Sequence, residues 1–250
     1  MSPKILDKET IQARDHELIE SAIVLLKEIG GASMTMDKFI ARVPYSKGTV
    51  YQHFCNKEDL FTATCNYGLK QMIELFERVD EFVGNGRERI QAMCYAYYLH
   101  AVKDPAWFMM VMSIKTESLA QKTSEARLQE HEVIEEKLME LMSKELMRAM
   151  ERGEFALPKN MNMLQVVFAI WSMCFGSMSF LMLHSDDCGK KAELDVFADT
   201  MNNLNILLDG FILQPLSSSF DYRASVERVA REIFPKESQE LKAKQAKIEA

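Results

Sequence analysis

The amino-acid sequence predicts an all-α fold, and three observations support that prediction. The 250 residues include only ten Gly and six Pro, so breaks in regular structure are few. Runs that alternate apolar with polar residues, the pattern of strands, are nearly absent. Apolar residues recur instead three and four positions apart, as they do along one face of a helix. With 48% hydrophobic and 27% charged residues, the composition is that of an ordinary soluble globular protein.

The first two helices have clear ends in the sequence. Residues 10–29 place their apolar side chains on one face, and Gly30 follows as a helix-ending residue. Thr35 can cap a short second helix over residues 36–43, because its hydroxyl can accept from a free amide in the first turn. Pro44 ends that helix, since proline disfavours helical geometry in the residue before it.

The next two helices follow at once. Ser46 can cap a short helix that reaches Phe54, and Asn56 can cap a longer one over residues 57–82. Glycines at 84 and 86 break the chain after it. Later helices are predicted over residues 87–103, 105–116, 124–152, 161–184, 193–213 and 222–234, and 236–250 is either a frayed helix or a mobile tail.

Charge and cysteine content exclude several classes of protein. The net charge of −7 argues against a chain that wraps nucleic acid over its whole surface. From Lys38 to Lys57, however, there are four cations and no Asp or Glu, which is the local charge that phosphate contact needs. The five cysteines form no CxxC pair and have no His at metal spacing, so we expect no metal, no cofactor and no disulfide framework. The first residues lack the apolar core of a signal peptide, and we expect a cytoplasmic protein.

Two short helices joined by a tight turn, with a third helix directly after them, are the arrangement of a DNA-binding helix-turn-helix. The second helix of such a motif lies in the major groove, and flanking groups hold phosphates. Hydroxyl and ammonium groups can bind phosphate, Gln52 can pair with adenine, and Thr49 can touch a thymine methyl. Candidate residues for contact with double-stranded DNA are Thr35, Tyr45, Ser46, Lys47, Gly48, Thr49, Tyr51, Gln52, His53 and Lys57. The alternatives are core packing for Tyr51, simple surface exposure for His53 and a solvated charged face for Lys47 and Lys57.

The run SKGTVYQHFCNKEDLF, preceded by Gly30, Thr35, Phe39 and Arg42, resembles the N-terminal signature of TetR-family transcriptional regulators. The resemblance covers residues 10–62, and the rest of the chain agrees only in length and helicity. It implies a homodimer, a C-terminal helical domain with a ligand cavity, and repression that a small molecule relieves.

One position departs from that signature. The family usually has Ala-Gly-Val in the turn, whereas this chain has Val43, Pro44 and Tyr45. Glycine can adopt positive φ and proline cannot, so the turn must be built differently, with consequences for the tilt of the following helix.

Residues 160–183 carry no charged side chain, which predicts a helix that is buried on all sides. Such a helix can face its own domain on one side and a second copy of the chain on the other. The residues predicted to form that dimer contact are Ser172, Gly176, Ser179, Leu204 and Leu208. A membrane span is the alternative, because the stretch is long and apolar enough. The acids that follow it and its own small polar residues argue against membrane insertion.

Eighteen methionines, several of them near Trp107 and Trp171, suggest an adaptable apolar cavity. Its predicted lining is Tyr97, His100, Trp107, Phe108, Met112, Trp171, Phe175 and Met178, and its predicted ligand is a small hydrophobic or aromatic effector. Ordinary core packing is the alternative for each of these residues.

Together these features predict a helix-turn-helix domain over residues 1–60 and a helical ligand-binding and dimerisation domain over residues 61–250. The predicted function is a ligand-responsive transcriptional regulator, a repressor that binds a palindromic operator as a homodimer. A DNA-bound structural or partner-binding protein without a ligand is the alternative. We expect no enzyme, because the sequence has no Gly-rich phosphate loop, nucleophile elbow or HExxH motif.

Overall fold

The computed structural model describes residues 7–105, 107–109, 117–182 and 194–248 of the chain. Its helices are α1 (Lys8–Ser33), α2 (Met36–Ile40), α3 (Lys47–His53), α4 (Lys57–Arg78), α5 (Gly86–Lys103), α6 (Glu117–Ala120), α7 (Glu125–Glu151), α8 (Met163–Met182), α9 (Val196–Gly210), α10 (Tyr222–Glu232) and α11 (Pro235–Ile248). A 3₁₀ turn over Val79–Glu81 extends α4. No strand occurs in the described ranges, which confirms the all-α prediction. The predicted helix over residues 105–116 lies mostly outside them.

The chain divides into two compact units. Unit 1 combines residues 1–70 with 106–134, and unit 2 combines 71–105 with 135–250. The boundary predicted after residue 60 therefore falls inside α4 and inside unit 1. Unit 1 is discontinuous in sequence, a property that helical periodicity alone does not reveal.

The helix ends in unit 1 have the local causes that the sequence predicts. Gly30 has φ +73° and non-helical ψ, so the regular part of α1 ends there although a last turn continues to Ser33. The Thr35 hydroxyl accepts from the Lys38 amide at 3.3 Å, and Ser46 Oγ accepts from the Thr49 amide at 3.1 Å. Both side chains are therefore the N-caps of α2 and α3.

Unit 1 has a core of fully buried side chains that come from all of its first four helices: Leu18, Phe39, Val50, Phe54 and Leu60. A close contact between α4 and the second segment of unit 1, residues 106–134, extends this core. A Cβ placed on Gly68 would lie 2.2 Å from the nearest atom of the Trp107 indole, so only glycine fits there. The indole N–H also donates to the Thr64 carbonyl at 3.2 Å.

Polar contacts tie α4 to residues 122–124 of the second segment. Asn56 donates to the Lys122 carbonyl at 2.7 Å, and the Thr62 and Thr123 hydroxyls are 3.0 Å apart. The buried carboxylate of Asp59 accepts from the Ser124 hydroxyl at 2.6 Å. Buried polar groups are costly without such partners. Residues 122–124 are therefore needed to complete the hydrogen bonding inside unit 1.

Helix α5 is the centre of unit 2, with nearly every side chain from Gly86 to Ala101 buried. Its fully buried Arg87 donates to Asp209 at 2.5 Å, to the Asn205 side chain at 2.9 Å, and to the Leu213 carbonyl at 3.1 Å. Its guanidinium also lies 4.6 Å from the centre of the Tyr222 ring. One side chain thus joins α5 to α9 and to the start of α10.

Helix α8 is the most apolar in the described chain, with a mean hydropathy of 1.7, and by length and composition alone it could cross a membrane. One face is covered within unit 2, where Val166, Ile170, Cys174 and Met178 are buried. The core helix of a soluble protein passes the same length and composition test, so this helix is weak evidence for a membrane span.

Candidate nucleic-acid interface

Helix α3 is held by one face and open on the other. Val50 and Phe54 are buried in the core of unit 1, and their positions fix the rotation of the helix about its axis. The opposite face carries Lys47, Gly48, Tyr51 and Gln52, which are all exposed and lie at helical spacings of one, four and five. Four of the predicted DNA-contacting residues therefore share one accessible surface.

The charge on this surface is available to an anion. Lys47 Nζ lies 3.4 Å from Asp37 Oδ1 and 5.8 Å from the centre of the Tyr51 ring. Both members of the ion pair are mostly exposed, and such surface pairs contribute little to stability. Lys47 can therefore exchange the carboxylate for a phosphate at small cost.

Gly48 has open space around it, because a Cβ at this position would have no atom closer than Ser46 Oγ at 3.9 Å. Packing inside unit 1 thus does not require glycine here. A bare backbone at this point lets another molecule approach α3 closely.

The charge excess predicted from Lys38 to Lys57 is smaller in the folded protein. The interval holds no acid, but Asp37 faces Lys47 and Glu28 forms an ion pair with Arg42. The ammonium of Lys38 also donates to the Ser33 carbonyl at 2.8 Å. Two acids that lie outside this interval of the sequence, Asp37 on α2 and Glu28 on α1, therefore offset part of its positive charge.

Three further predicted DNA contacts have partners on α1. The His53 side chain is only 6% exposed, with Nδ1 3.2 Å from Asp15 Oδ1. Lys57 Nζ donates to the Gly31 carbonyl at 2.8 Å, where it caps the end of α1. The Tyr45 hydroxyl donates to Glu17, and this hydrogen bond raises the pKa of Tyr45. These contacts join the motif to α1, whereas Ser46 and Thr49 lie at the start of α3 and Thr35 at the start of α2.

The unusual turn before α3 is anchored by packing. Val43 and Tyr45 are partly buried against the core of unit 1, and neither they nor Pro44 adopts positive φ. Apolar contacts and the Tyr45 hydrogen bond therefore hold this turn in a conformation that needs no glycine.

Asp15 is a residue of this site that the sequence analysis missed. Besides contacting His53, its two carboxylate oxygens accept from Arg127 Nη2 at 2.8 and 2.9 Å. The Arg127 guanidinium also lies 5.5 Å from the centre of the Phe54 ring. Asp15 in α1 and Arg127 in the first turn of α7 therefore hold the C-terminal end of α3, although 112 positions separate them.

The predicted effector-binding residues do not form one cluster within a unit. Trp107 and Phe108 belong to unit 1, whereas Tyr97, His100, Trp171, Phe175 and Met178 belong to unit 2. Met112 lies outside the described residues. Within unit 2, Tyr97 hydrogen-bonds to Trp171, which stacks on Phe175 with ring centres 5.6 Å apart.

Unit 2 contains a cavity of about 430 Å³ between the end of α4, the end of α5 and α11. Its lining includes one predicted residue, His100, together with apolar groups such as Leu99 and Leu241 and both signs of charge, including Glu240 and Lys244. This volume falls within the range of small-molecule sites. Burial, assisted by nearby Lys103 and opposed by Asp104, lowers the pKa of His100 to about 4.

The predicted dimer contacts are divided between the two faces of their helices. Ser179, Leu204 and Leu208 are buried within unit 2, whereas Ser172 and Gly176 are partly accessible. These last two continue a row that repeats every four residues along α8, with Leu164 and Phe168 before them and Phe180 after them. The three large side chains of the row are 61%, 58% and 67% exposed.

The open row on α8 is wide enough to admit another surface. A Cβ on Gly176 would meet no atom within 4 Å, and Ile206 of α9 adds a further apolar side chain that is 70% exposed. Exposed apolar side chains grouped along one helix are typical of interaction sites.

Comparison with known proteins supports the assignment that the motif suggests. Residues 18–64 match the family model of the bacterial regulatory proteins of the tetR family. A comparison with curated proteins found no significant match.

Solved structures of regulators share the fold over most of the chain. FadR from Bacillus subtilis in complex with stearoyl-CoA is 15% identical with a TM-score of 0.61, and the alignment covers 78% of this chain and 98% of that one. SmeT, the repressor of the Stenotrophomonas maltophilia multidrug efflux pump SmeDEF, is 20% identical with a TM-score of 0.56, covering 80% and 91%. The ketosteroid transcriptional regulator of Mycobacterium tuberculosis is 19% identical with a TM-score of 0.54, covering 79% and 94%.

At these identities the structural matches show the fold, and the tetR family model describes residues 18–64. The helix-turn-helix geometry of α2 and α3, the all-α fold and the family match agree with one another. Residues 18–64 therefore form a helix-turn-helix domain of the tetR family of bacterial regulatory proteins, and the chain shares its all-α fold with solved transcriptional regulators.

Proposed function

We propose that the protein is a homodimeric repressor that binds a palindromic DNA operator through α3 and is released by a small hydrophobic molecule. The observation that carries this proposal is the open face of α3, where Lys47, Gly48, Tyr51 and Gln52 project from a helix whose other face is fixed in the core. The group combines a cation, a bare backbone and a side-chain amide, which suit phosphate contact, close approach and adenine readout respectively.

Selection of bound sequences from a random duplex DNA pool tests the DNA-binding part of the proposal. A homodimer should enrich a palindrome whose half-sites lie about one helical turn, roughly 10 base pairs, apart. Binding should weaken steeply with salt, since phosphate contacts release counterions. A folded protein that enriches no sequence at moderate salt would contradict the proposal.

The matched pair Gln52→Ala and Gln129→Ala tests the readout by α3. Both glutamines are exposed in unit 1, but Gln129 lies on α7. We expect Gln52→Ala to weaken operator binding about tenfold, corresponding to the loss of one bidentate base contact, and Gln129→Ala to leave it unchanged. Fluorescence anisotropy with the selected operator measures both. Equal affinities for the two variants would remove α3 from the proposed interface.

The second copy of the chain is proposed to cover the row of Leu164, Phe168, Ser172, Gly176 and Phe180. Large apolar side chains at its ends supply buried area, and the small residues at its middle let two helices approach closely. The family match over residues 18–64 supports a dimer, and the row offers the exposed surface that such a dimer needs.

The variant Phe168→Glu tests this dimer surface. Phe168 is 58% exposed in a single protomer, so a charge there should leave the protomer folded but place a carboxylate in the proposed interface. We expect the dimer dissociation constant to rise about thirtyfold, as for an interface residue worth about 2 kcal/mol. Sedimentation equilibrium measures it. The control is Val83→Glu, at a position that is 82% exposed and outside the row.

Two other outcomes of that experiment carry information. If Phe168→Glu leaves the dimer intact, the row is not the interface. If wild-type protein sediments with membranes after expression and the variant does not, the apolar surface of α8 faces lipid instead, and the cytoplasmic assignment proposed here fails.

The effector is proposed to be small and hydrophobic or aromatic. Its site lies in the helical region after the helix-turn-helix, where unit 2 holds a cavity of about 430 Å³. FadR from Bacillus subtilis was solved with stearoyl-CoA, and the long acyl chain of that ligand supports the proposal of an apolar effector. A ligand would act by favouring a conformation whose two recognition helices no longer match the operator.

Ligand screening by thermal shift separates this proposal from the ligand-independent alternative. A compound that binds the folded state must raise its apparent stability, and a true effector must also weaken operator binding. A set of apolar and aromatic compounds that leaves both the melting temperature and the operator affinity unchanged would favour a DNA-binding protein without an effector.

A further inference from the structure

Two cysteines distant in sequence meet inside unit 2. Cys94 lies on α5 and Cys174 on α8, and their sulfur atoms are 3.1 Å apart. Both side chains are buried, with exposures of 3% and 2%. A pattern search could not find this pair, because 80 positions separate the two residues.

The distance between the sulfurs is close to that needed for a covalent bond. A disulfide has an S–S length of about 2.05 Å, so the two atoms must approach by about 1 Å. Ordinary fluctuations of well-ordered side chains reach roughly 0.5 to 0.9 Å, and the two helices already pack together. The two side chains therefore need only a small further approach for their sulfur atoms to reach bonding distance.

We propose that Cys94 and Cys174 are a modification site, at which an oxidant of the peroxide class converts the two thiols into a disulfide that joins α5 to α8. One thiolate attacks a peroxide oxygen, the O–O bond breaks, and a sulfenic acid forms with release of water for hydrogen peroxide. The sulfur of the second cysteine then attacks the sulfenic sulfur, so that the S–S bond forms and a second water leaves. In total, two thiols lose two electrons and two protons to one peroxide.

The surroundings set the rate of this reaction. The hydrogen bond with Cys174 and burial raise the pKa of the Cys94 thiol well above its ordinary value. The reactive thiolate is then scarce at neutral pH, so oxidation is slow and accelerates as the pH rises. The pair responds to sustained exposure to oxidant rather than to a brief pulse.

The disulfide would change both stability and mechanics. It closes a loop of 80 residues, which restricts the unfolded chain and raises the melting temperature of the oxidised protein by about 10 °C. It also fixes the central helix of unit 2 to the helix that carries the exposed apolar row. This inference rests on the geometry of unit 2 and does not depend on the proposed operator or effector.

Peptide mass spectrometry of the full-length protein tests the proposal. The reduced protein is treated with hydrogen peroxide at pH 7 and pH 9, denatured, alkylated with iodoacetamide and digested. The expected product is a cross-linked peptide pair containing Cys94 and Cys174, lighter by two hydrogen atoms, formed faster at pH 9 and removed by dithiothreitol. The oxidised protein should also melt about 10 °C higher than the reduced protein.

Matched variants keep the outcome interpretable. Cys94→Ser should abolish the cross-link, whereas Cys65→Ser, which alters a buried cysteine of unit 1, should leave it unchanged. Cys94→Ala serves the same purpose if the serine destabilises the core. The proposal is overturned if, after the peroxide treatment, Cys94 and Cys174 are both found alkylated by iodoacetamide while exposed Cys55 is oxidised. It is also overturned if the cross-links formed involve Cys55 or Cys188 instead.

Discussion

Replacing Asp15 by alanine is expected to lower the free energy of unfolding by about 3 kcal/mol and to weaken operator binding at the same time. The carboxylate accepts two hydrogen bonds from Arg127 and contacts the His53 ring. Removing it leaves a largely buried guanidinium without its main partner, and breaking a buried ion pair from one side costs about 3 to 5 kcal/mol. We take the lower end because the Arg127 and Asp15 side chains are still 18% and 23% exposed.

Operator affinity should fall because Asp15 and Arg127 hold the end of α3 and make no contact with DNA themselves in the proposal. Urea denaturation measures stability, and anisotropy measures affinity at a temperature where the variant is folded. Asp15→Asn should lose less stability and less operator affinity than Asp15→Ala, since its amide oxygen still accepts one hydrogen bond. Glu20→Ala is the matched control on α1, because its 3.8 Å contact with His16 joins two side chains that are each more than half exposed. A loss of stability without any loss of affinity would show that this network does not orient α3.

His100 is expected to make the protein less stable as the pH falls from about 6.5 to about 4. Burial lowers the pKa of the folded histidine to about 4, whereas an unfolded histidine titrates near 6.5. Between these values the unfolded state binds more protons, so protonation favours unfolding. The free energy of unfolding should fall by about 3 kcal/mol over this window, and the contribution is fully present above pH 6.5.

Urea titrations from pH 4 to pH 8 compare the wild type with His100→Gln. The variant should lose this part of the pH dependence. The difference between the free energies of unfolding of the two proteins should therefore narrow as the pH falls. His16→Gln is the control, because that side chain is more than half exposed, and it should follow the wild type. If His100→Gln also follows the wild type at every pH, the histidine is not held neutral in the cavity wall.

The sequence predicts the structural features that depend on residues close to one another along the chain. Thr35 and Ser46 cap their helices as expected, because each cap hydrogen bond spans only three residues. Gly30 ends the regular part of α1 through its own positive φ. The residues of α3 that face outward also follow from helical spacing once Val50 and Phe54 are assigned to the core.

Contacts between distant segments could not be predicted. Lys57 and His53 are predicted DNA contacts, and their partners within unit 1, Gly31 and Asp15, are too distant in sequence to be predicted. On α8 and α9, periodicity identifies apolar residues without saying which of them the same chain covers. Leu204 and Leu208 are buried in unit 2, whereas Phe168 and Phe180 remain exposed. The absence of charge on α8 predicts an interface without indicating which face of the helix would form it.

The discontinuity of unit 1 has a consequence for how the protein is made. When residue 70 leaves the ribosome, Asn56, Asp59 and Thr62 are in place, but their partners in residues 122–124 are not yet synthesised. Residues up to 134 complete the unit, and at 5 to 20 residues per second the 64 intervening residues take roughly 3 to 13 s. During that interval the nascent helix-turn-helix has water in place of its final polar partners. A gene truncated near residue 60 should therefore produce a fragment that proteases degrade faster than the complete chain.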